Sequence, residues 1–396
     1  MDSGATLHYE FSAPRRILFG WGRRREVGSL ARDLGRRAFV VCGSEALVSS
    51  GVLGQIIEAL NAEGVESIAL ETIEHEPEVQ DVDRVAAAVR EHKPRSGDFV
   101  LAVGGGAAMD LGKAVAAMAT NDESPTIRDY LENVGRDLKL VHDPLPVLAM
   151  PTTAGTGAEA TRNAVISSYD PPFKKSLRSE KIMPRIALVD PELTVTVPPG
   201  VTAASGMDAI TQLIESFLSR KAQPIPRALA LEGLTKAVPA IAEAVENGRC
   251  RPAREAMAHA ALISGMCLAN SGLGMAHGVA AALGVHCRVP HGVACAVMLP
   301  AALRANRGVR RAELARLTHL LFGESSFRTP DEAVDRLIEA ISALCDRVGV
   351  PRRLSQIGVR ADQIPAIVRD SRGSSMSGNP RDLSDEELTE ILEELL

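Results

Sequence analysis

Hydrophobic positions along this chain fall into two textures. In the first half, short continuous apolar runs (AFVVC, SIAL, FVLAV, LPVLAM) alternate with stretches whose apolar residues recur at helical spacing. Short runs bounded by Gly, Pro or charged residues read as strands buried on both faces, and the stretches between them as helices. The chain opens with an extended segment over 11–22 that ends in glycines, and a helix over 25–35 stops at Gly35. A strand at RRAFVVCG leads through GSEALVSSG into a helix over 52–63, followed by a strand at ESIALE and a polar loop around EHEPEVQ. A helix over 81–93 precedes a strand over 98–106 that runs into glycines, and AAMDLGKAVAAMA is the next helix. LPVLAMPTTAGTGAEAT, 145–161, is a strand with a Thr/Gly loop, and KIMPRIALVDPELTVTVPPG closes this half. Alternating strands and helices predict a parallel sheet covered on both faces.

From about Val201 the texture changes to successive helical patterns separated by Gly/Pro clusters. The pattern therefore predicts an α/β domain over 1–198 and an all-helical domain over 199–396, with the boundary near Pro198–Gly200. No internal repeat or low-complexity linker is visible, so tight packing of the two is expected.

Composition narrows the function classes. At 396 residues the chain is long enough for two domains. A hydrophobic content of 45% and a charged content of 24% are ordinary for a globular enzyme. The net charge is −6 and the longest block of like charge is Arg23–Arg25, so the basic stripe of a nucleic-acid binder is missing. No apolar run reaches membrane-spanning length, and MDSGATLHYEF lacks the apolar core of a signal peptide. The six cysteines are scattered without a CxxC and read as reduced core thiols. No membrane or nucleic-acid partner is expected; the cytoplasm is the expected location and a homodimer the expected assembly.

Candidate chemistry lies in three stretches. AVGGGAAMDLGK is a strand–glycine turn–helix unit, in which Gly104, Gly105 and Gly106 let backbone amides approach a pyrophosphate at a helix N-terminus. Asp110 and Lys113 are three apart, which fits either a surface pair or a place in a cleft; the cleft is favoured. TTAGTG, Thr152–Gly157, puts hydroxyls at the C-terminal end of a strand, where parallel sheets bind ligands. The first strand ends in Gly43 and Ser44 and not in an acid that would repel a 2′-phosphate, which leans the cofactor choice to NADP(H) over NAD(H), with Glu45 leaving both open.

The third stretch is SGLGMAHGVAAALGVHCRVPHG, where His277 and His291 stand 14 residues apart with a turn between them. Each alone can be a core histidine. Together they can converge on a metal, since neutral imidazole is a common ligand. Upstream, AASGMDAITQLIESFLS sets Asp208 and Gln212 four apart on one face of an apolar helix. A carboxylate there needs a cation or donors, although a role near the helix start as cap is the plainer alternative.

AVGGGAAMDLGK, MPTTAGTGAEAT, GMDAITQLIES and GLGMAHGVAAALGVHCRVPHG, in this order along the chain, resemble the iron-containing (group III) alcohol dehydrogenases, from about Phe11 to the last helix. The resemblance implies a Rossmann-like dinucleotide-binding domain followed by a helical metal-bearing domain, with NADP or NAD in the cleft. It also implies that a divalent metal, Fe2+ or Zn2+, polarises the oxygen of a small alcohol or aldehyde. By resemblance Asp208, His277 and His291 are metal ligands and the catalytic set; Gly104, Gly105, Gly106, Asp110, Lys113, Thr152, Thr153 and Thr156 contact the cofactor. The pattern departs from the family at Gln212, where a ligand histidine is usual, at Ala281, a further family histidine, and at Ala107 and Ala158, usually serines. Gln212 is thus expected as a weak ligand or an outer donor. The similar glycerol dehydrogenases use one Asp and two His, and maleylacetate reductases work without metal. A metal-free reductase and a non-catalytic cofactor-binding homologue therefore stand as alternatives.

Overall fold

The computed structural model describes residues 8–323 and 328–396, so the start of the N-terminal stretch read above, 1–7, lies outside the described residues. The order is β1 (Arg16–Phe19), α1 (Val27–Leu34), β2 (Arg37–Cys42), α2 (Glu45–Ser49), α3 (Val52–Ala62), β3 (Glu66–Thr72), α4 (Val79–Glu91), β4 (Asp98–Gly104), α5 (Gly106–Met118) and β5 (Val147–Pro151). Then come β6 (Asn163–Tyr169), β7 (Pro172–Arg178) and β8 (Ile186–Val189). Six strands form one parallel sheet in the order β1-β8-β5-β4-β2-β3.

The continuous apolar runs have a direct cause. Successive side chains of a strand point to opposite faces. Phe39 and Val41 of β2, with Val100 and Ala102 of β4, pack under α4 and α5 against Val82, Val85 and Met109. Ala38, Val40, Phe99, Leu101 and Val103 point the other way, onto Leu30, Ile56 and Leu60 of α1 and α3. Both faces are dry, so alternation disappears from the sequence.

The segment between 161 and 181, to which the sequence pattern assigned nothing, is an antiparallel hairpin. β6 and β7 pair from Asn163 with Arg178 to Tyr169 with Pro172. Ala164, Ile166 and Leu177 sink into the core of the first half. Ser167 bridges to Glu78 and its N–H donates to the Pro77 carbonyl at 2.9 Å, which ties the hairpin to the loop before α4.

The second half is helical: α6 (Pro199–Leu218), α7 (Pro224–Glu246), α8 (Arg251–Ser271), α9 (Met275–Cys287), α10 (His291–Asn306), α11 (Arg311–Phe322), α12 (Pro330–Arg347), α13 (Ile364–Asp370) and α14 (Asp385–Glu394). α6 runs through its middle, packed by α7, α8 and α10, and is buried over nearly all its length from Gly206 on. α8 and α9 meet at 100° across the Gly272–Gly274 break. Among the described residues no single helix is long and apolar enough to cross a membrane.

The loop after β5 joins the halves by backbone contact. A Cβ on Gly265 of α8 would lie 2.0 Å from the Gly157 carbonyl oxygen, and one on Gly155 would lie 2.9 Å from the Ser205 carbonyl of α6. Only glycine permits approach this close.

Candidate active site

The C-terminal ends of β2, β4 and β5 lie side by side and bring three sequence-predicted groups together: Gly43–Ser44, Gly104–Gly106 and Thr152–Thr156. Gly43 and Gly104 touch through their backbones, since a Cβ on either would come within 3 Å of the other's Cα. Gly104 also has φ +153, outside the range of most side chains. The Thr152 N–H donates to the Gly104 carbonyl at 2.9 Å. Thr153 stands opposite Gly105 and Thr156 opposite Gly106. α5 begins at Gly106, so its free N–H groups face this crevice. The Ser44 hydroxyl accepts from Ala46 N–H at 2.9 Å and caps α2. The Glu45 N–H donates to the Glu74 carboxylate at 3.0 Å, so an acid that sequence reading did not consider stands beside Ser44.

Asp110 and Lys113 form an ion pair, but only one of them lines the cleft. Asp110 lines the cleft and accepts from Val165 N–H of β6 at 3.1 Å. Lys113 is fully buried and does not face the cleft; its ammonium lies 2.9 Å from Asp110 and donates to the carbonyls of Ala158 and Asn163 and to the Thr161 hydroxyl. All three N–H bonds are taken up inside the protein, leaving none for a phosphate. Asp110 thus lies on the cleft wall and Lys113 beneath the hairpin.

Glu159 is buried near Lys113, and burial pushes its carboxyl up to about 7 against the pull of the Lys113 charge. In the unfolded chain it titrates near the free value of 4.5. The native state then binds more protons than the unfolded state between those two values, so stability falls as pH rises from about 4.5 to about 7 and is level above. In Glu159→Gln this slope should be lost, read as urea midpoints across that range; an unchanged slope would assign it to another group.

A single cleft runs from Gly106 and Thr156 to Asp208, His277 and His291, walled on one side by Lys174, Lys175 and Arg178 of the hairpin. Lys174 donates to Glu76 at 2.7 Å and Arg178 to Glu132 at 2.6 Å. His277 is in the first turn of α9 and His291 is the first residue of α10, with Arg288 in a left-handed turn between them. The rings lie 5.5 Å apart centre to centre. Asp208 Oδ1 lies 3.2 Å from His277 Nε2 and 3.8 Å from His291 Nε2. Both Asp208 Oδ1 and His277 Nε2 are buried without a hydrogen-bond partner.

Glu215 explains the orientation. It lies seven residues after Asp208, two turns along the same face of α6. Its carboxylate accepts from the N–H groups of Gly274 and Ala276 at the start of α9 and from His277 Nδ1 at 2.7 Å. A carboxylate at a helix N-terminus is favoured by the dipole. Here it also orients the ring, since Nδ1–H donates to Glu215 and Nε2 is turned toward Asp208, where it can hold either a proton or a cation. Desolvation opposes charge on His277, but Cys295, Asp208 and Glu215 outweigh it and hold the pKa well above the ordinary imidazole value. Burial, and then the Lys174 ammonium, depresses His291 to about 4, so it is neutral near pH 7.

A carboxylate, two imidazoles and a thiol gathered at one point fit a cation: Asp208, His277, His291 and Cys295 each offer a ligand atom within 4.8 Å of the others. Gln212 sits beside this group with its amide already engaged, Nε2 donating at 2.9 Å to both the Thr156 carbonyl and the Ser264 hydroxyl. Sequence reading missed Glu215 and Cys295, although both were signalled by helical spacing, seven residues from Asp208 and four from His291. It also missed Lys174 and Glu76, which come from the unassigned hairpin and a loop.

Comparison with known proteins gives concordant matches. The sequence model of the iron-containing alcohol dehydrogenases matches residues 14–191, and that of the Fe-containing alcohol dehydrogenase family, C-terminal, matches 202–396. The chain is 32% identical over 352 residues to long-chain-alcohol dehydrogenase 1 of Geobacillus thermodenitrificans (strain NG80-2), covering 89% of this chain and 87% of that one. It is 31% identical over 380 residues to lactaldehyde reductase of Escherichia coli (strain K12), covering 94% and 96%. The crystal structure of sulfoacetaldehyde reductase from Bifidobacterium kashiwanohense in complex with NAD+ superposes with a TM-score of 0.87 at 30% identity, covering 98% of this chain and 99% of that one.

Proposed function

The chain belongs to the iron-containing alcohol dehydrogenase family, and from that premise we propose that it interconverts a small alcohol and its aldehyde or ketone with a nicotinamide cofactor and one divalent metal. In this reading residues 1–198 bind the dinucleotide and residues 199–396 carry the metal. The observation that carries it is the convergence of Asp208, His277 and His291 on one buried point at the floor of a cleft that reaches Gly106. When bound, the metal supplies Lewis acidity toward the substrate oxygen and the nicotinamide gives or takes the hydride.

The residues of the chain do the rest. Asp208, His277 and His291 hold the cation, and Glu215 orients the His277 ring. Gly104–Gly106 and the N-terminus of α5 receive the pyrophosphate, while Thr153 and Thr156 face the nicotinamide end. The hairpin wall encloses the small substrate against the cleft floor and limits water. For the adenosine end, Gly43 and Ser44 favour NADP(H); the Glu74 carboxylate beside Ser44 favours NAD(H) by repelling a 2′-phosphate.

Turnover of short alcohols and aldehydes with either cofactor, with and without chelator and after reloading with Zn2+ or Fe2+, tests the reading. Activity that survives complete metal removal would put the metal-free reductase in its place. The cofactor placement has its own test. A Cβ at Gly105 meets only Thr153, at 3.3 Å, so a side chain there is accommodated with a small shift. Gly105→Val should therefore fold but bind NADH and NADPH at least about tenfold more weakly, a loss of roughly 1.4 kcal/mol, by fluorescence titration. Wild-type affinity for both would exclude Gly105 from the pyrophosphate contact.

A further inference from the structure

A buried thiol joins the carboxylate and the two imidazoles at the cleft floor. Cys295 lies one helical turn after His291 on α10. Its Sγ is 3.7 Å from His291 Nε2 and within 4.8 Å of the ligating atoms of Asp208 and His277. In a tetrahedral site with bonds of about 2.0–2.3 Å, ligand atoms are about 3.3–3.8 Å apart, so little movement brings these four onto one ion. Cys295 is fully buried and is not part of the cleft wall, whereas Asp208, His277 and His291 are. Cys295 would thus join the set from the buried side, the other three residues lining the cleft.

Gln212 is held through its amide nitrogen: both N–H bonds are spent on Thr156 and Ser264, which anchors the loop after β5 to α6 and α8, and a bond from it to an ion could come only from Oε1, a neutral and weaker donor. Resting on the metal reading of the site, we propose that Cys295 is the fourth protein ligand, giving an Asp–His–His–Cys set, and that Gln212 is a positioning residue for the Thr156 loop. On binding, the S–H bond breaks, its proton passes to solvent and the sulfur lone pair forms the bond to the dication, which favours a deprotonated thiol strongly. No redox change is involved. A thiolate softens the donor set and shifts preference toward Zn2+ over a hard ion.

Two measurements decide it. Zinc-edge X-ray absorption on the wild-type protein should show one sulfur neighbour at about 2.3 Å among nitrogen and oxygen neighbours at about 2.0–2.1 Å. Cobalt(II)-loaded wild type should show a near-ultraviolet thiolate-to-cobalt charge-transfer band, absent from Cys295→Ser and Cys295→Ala and kept in Gln212→Ala. Zn2+ affinity in the cysteine variants should fall by more than the roughly 10- to 100-fold brought by loss of an outer partner. Metal uptake without a sulfur neighbour or charge-transfer band overturns the role of Cys295 and leaves the metal reading standing. Failure of the wild type to take up either metal overturns both. The absorption measurement needs no variant, so a cysteine variant that does not fold leaves the question decidable.

Discussion

His277→Ala should empty the metal site and lower kcat/KM by at least about 10²–10³-fold, the scale on which single electrostatic stabilisers of a transition state act. The imidazole carries three tasks at once: it offers Nε2 to the shared point, donates Nδ1–H to Glu215, and fills the space beside His291. Without it, the remaining donors hold a first-row ion poorly. The fold should survive, because Glu215 still accepts from Gly274 and Ala276 at the start of α9. Cofactor affinity should be near wild type, because Asp208, Glu215 and His291, which the ring meets, lie outside the glycine turn and the Thr loop. Elemental analysis, cofactor titration and steady-state kinetics on one preparation separate these effects. Full metal content with normal turnover would remove His277 from the site; loss of cofactor binding together with metal would point to a general collapse.

The second large effect concerns stability. Lys113→Met should cost about 3–5 kcal/mol, the range for removing one partner of a buried ion pair. The ammonium satisfies two carbonyls, a hydroxyl and the Asp110 charge in a place with no exposure, and methionine fills the volume but none of these needs. Asp110→Asn added to Lys113→Met should recover part of the loss, since the uncompensated carboxylate is then gone. Urea unfolding of wild type, both singles and the double gives the coupling directly. A loss within about 1 kcal/mol, the range of exposed pairs, would mean that water reaches the site and that Lys113 is not sealed under the hairpin.

Lys113 also marks a limit of what the sequence discloses. Three-residue spacing places two side chains on one helix face, but whether that face meets solvent, a cleft or another element depends on what packs over it. The cover is β6–β7, whose Lys174, Lys175 and Arg178 line a cleft and break the apolar run that reveals the central strands. Those strands were legible because both faces are dry. Asp208, His277 and His291 were legible because a carboxylate and two imidazoles among small apolar residues are costly without a purpose. Glu215 and Cys295 sit at spacings as regular as Gln212, yet a thiol in an apolar helix resembles core packing, and only the convergence of α6, α9 and α10 sets it apart.

The contact of Gly157 with Gly265 bears on how far such an enzyme can diverge. In the proposed reading the Thr loop presents the nicotinamide and the helices behind it carry the metal, so the reach of the hydride is set by two backbones in van der Waals contact, with no side chain between them as a spacer. A misplacement of about 1 Å can cost about 10²-fold in rate, so one added methyl group at either glycine changes the spacing of donor and acceptor without touching either. The opposite wall is built of side chains and not of touching backbones: Lys175 and Arg178 of β7 can change size and charge while that spacing stays fixed. Substrate range is thus free to drift on the hairpin side, and reaction geometry is held on the glycine side.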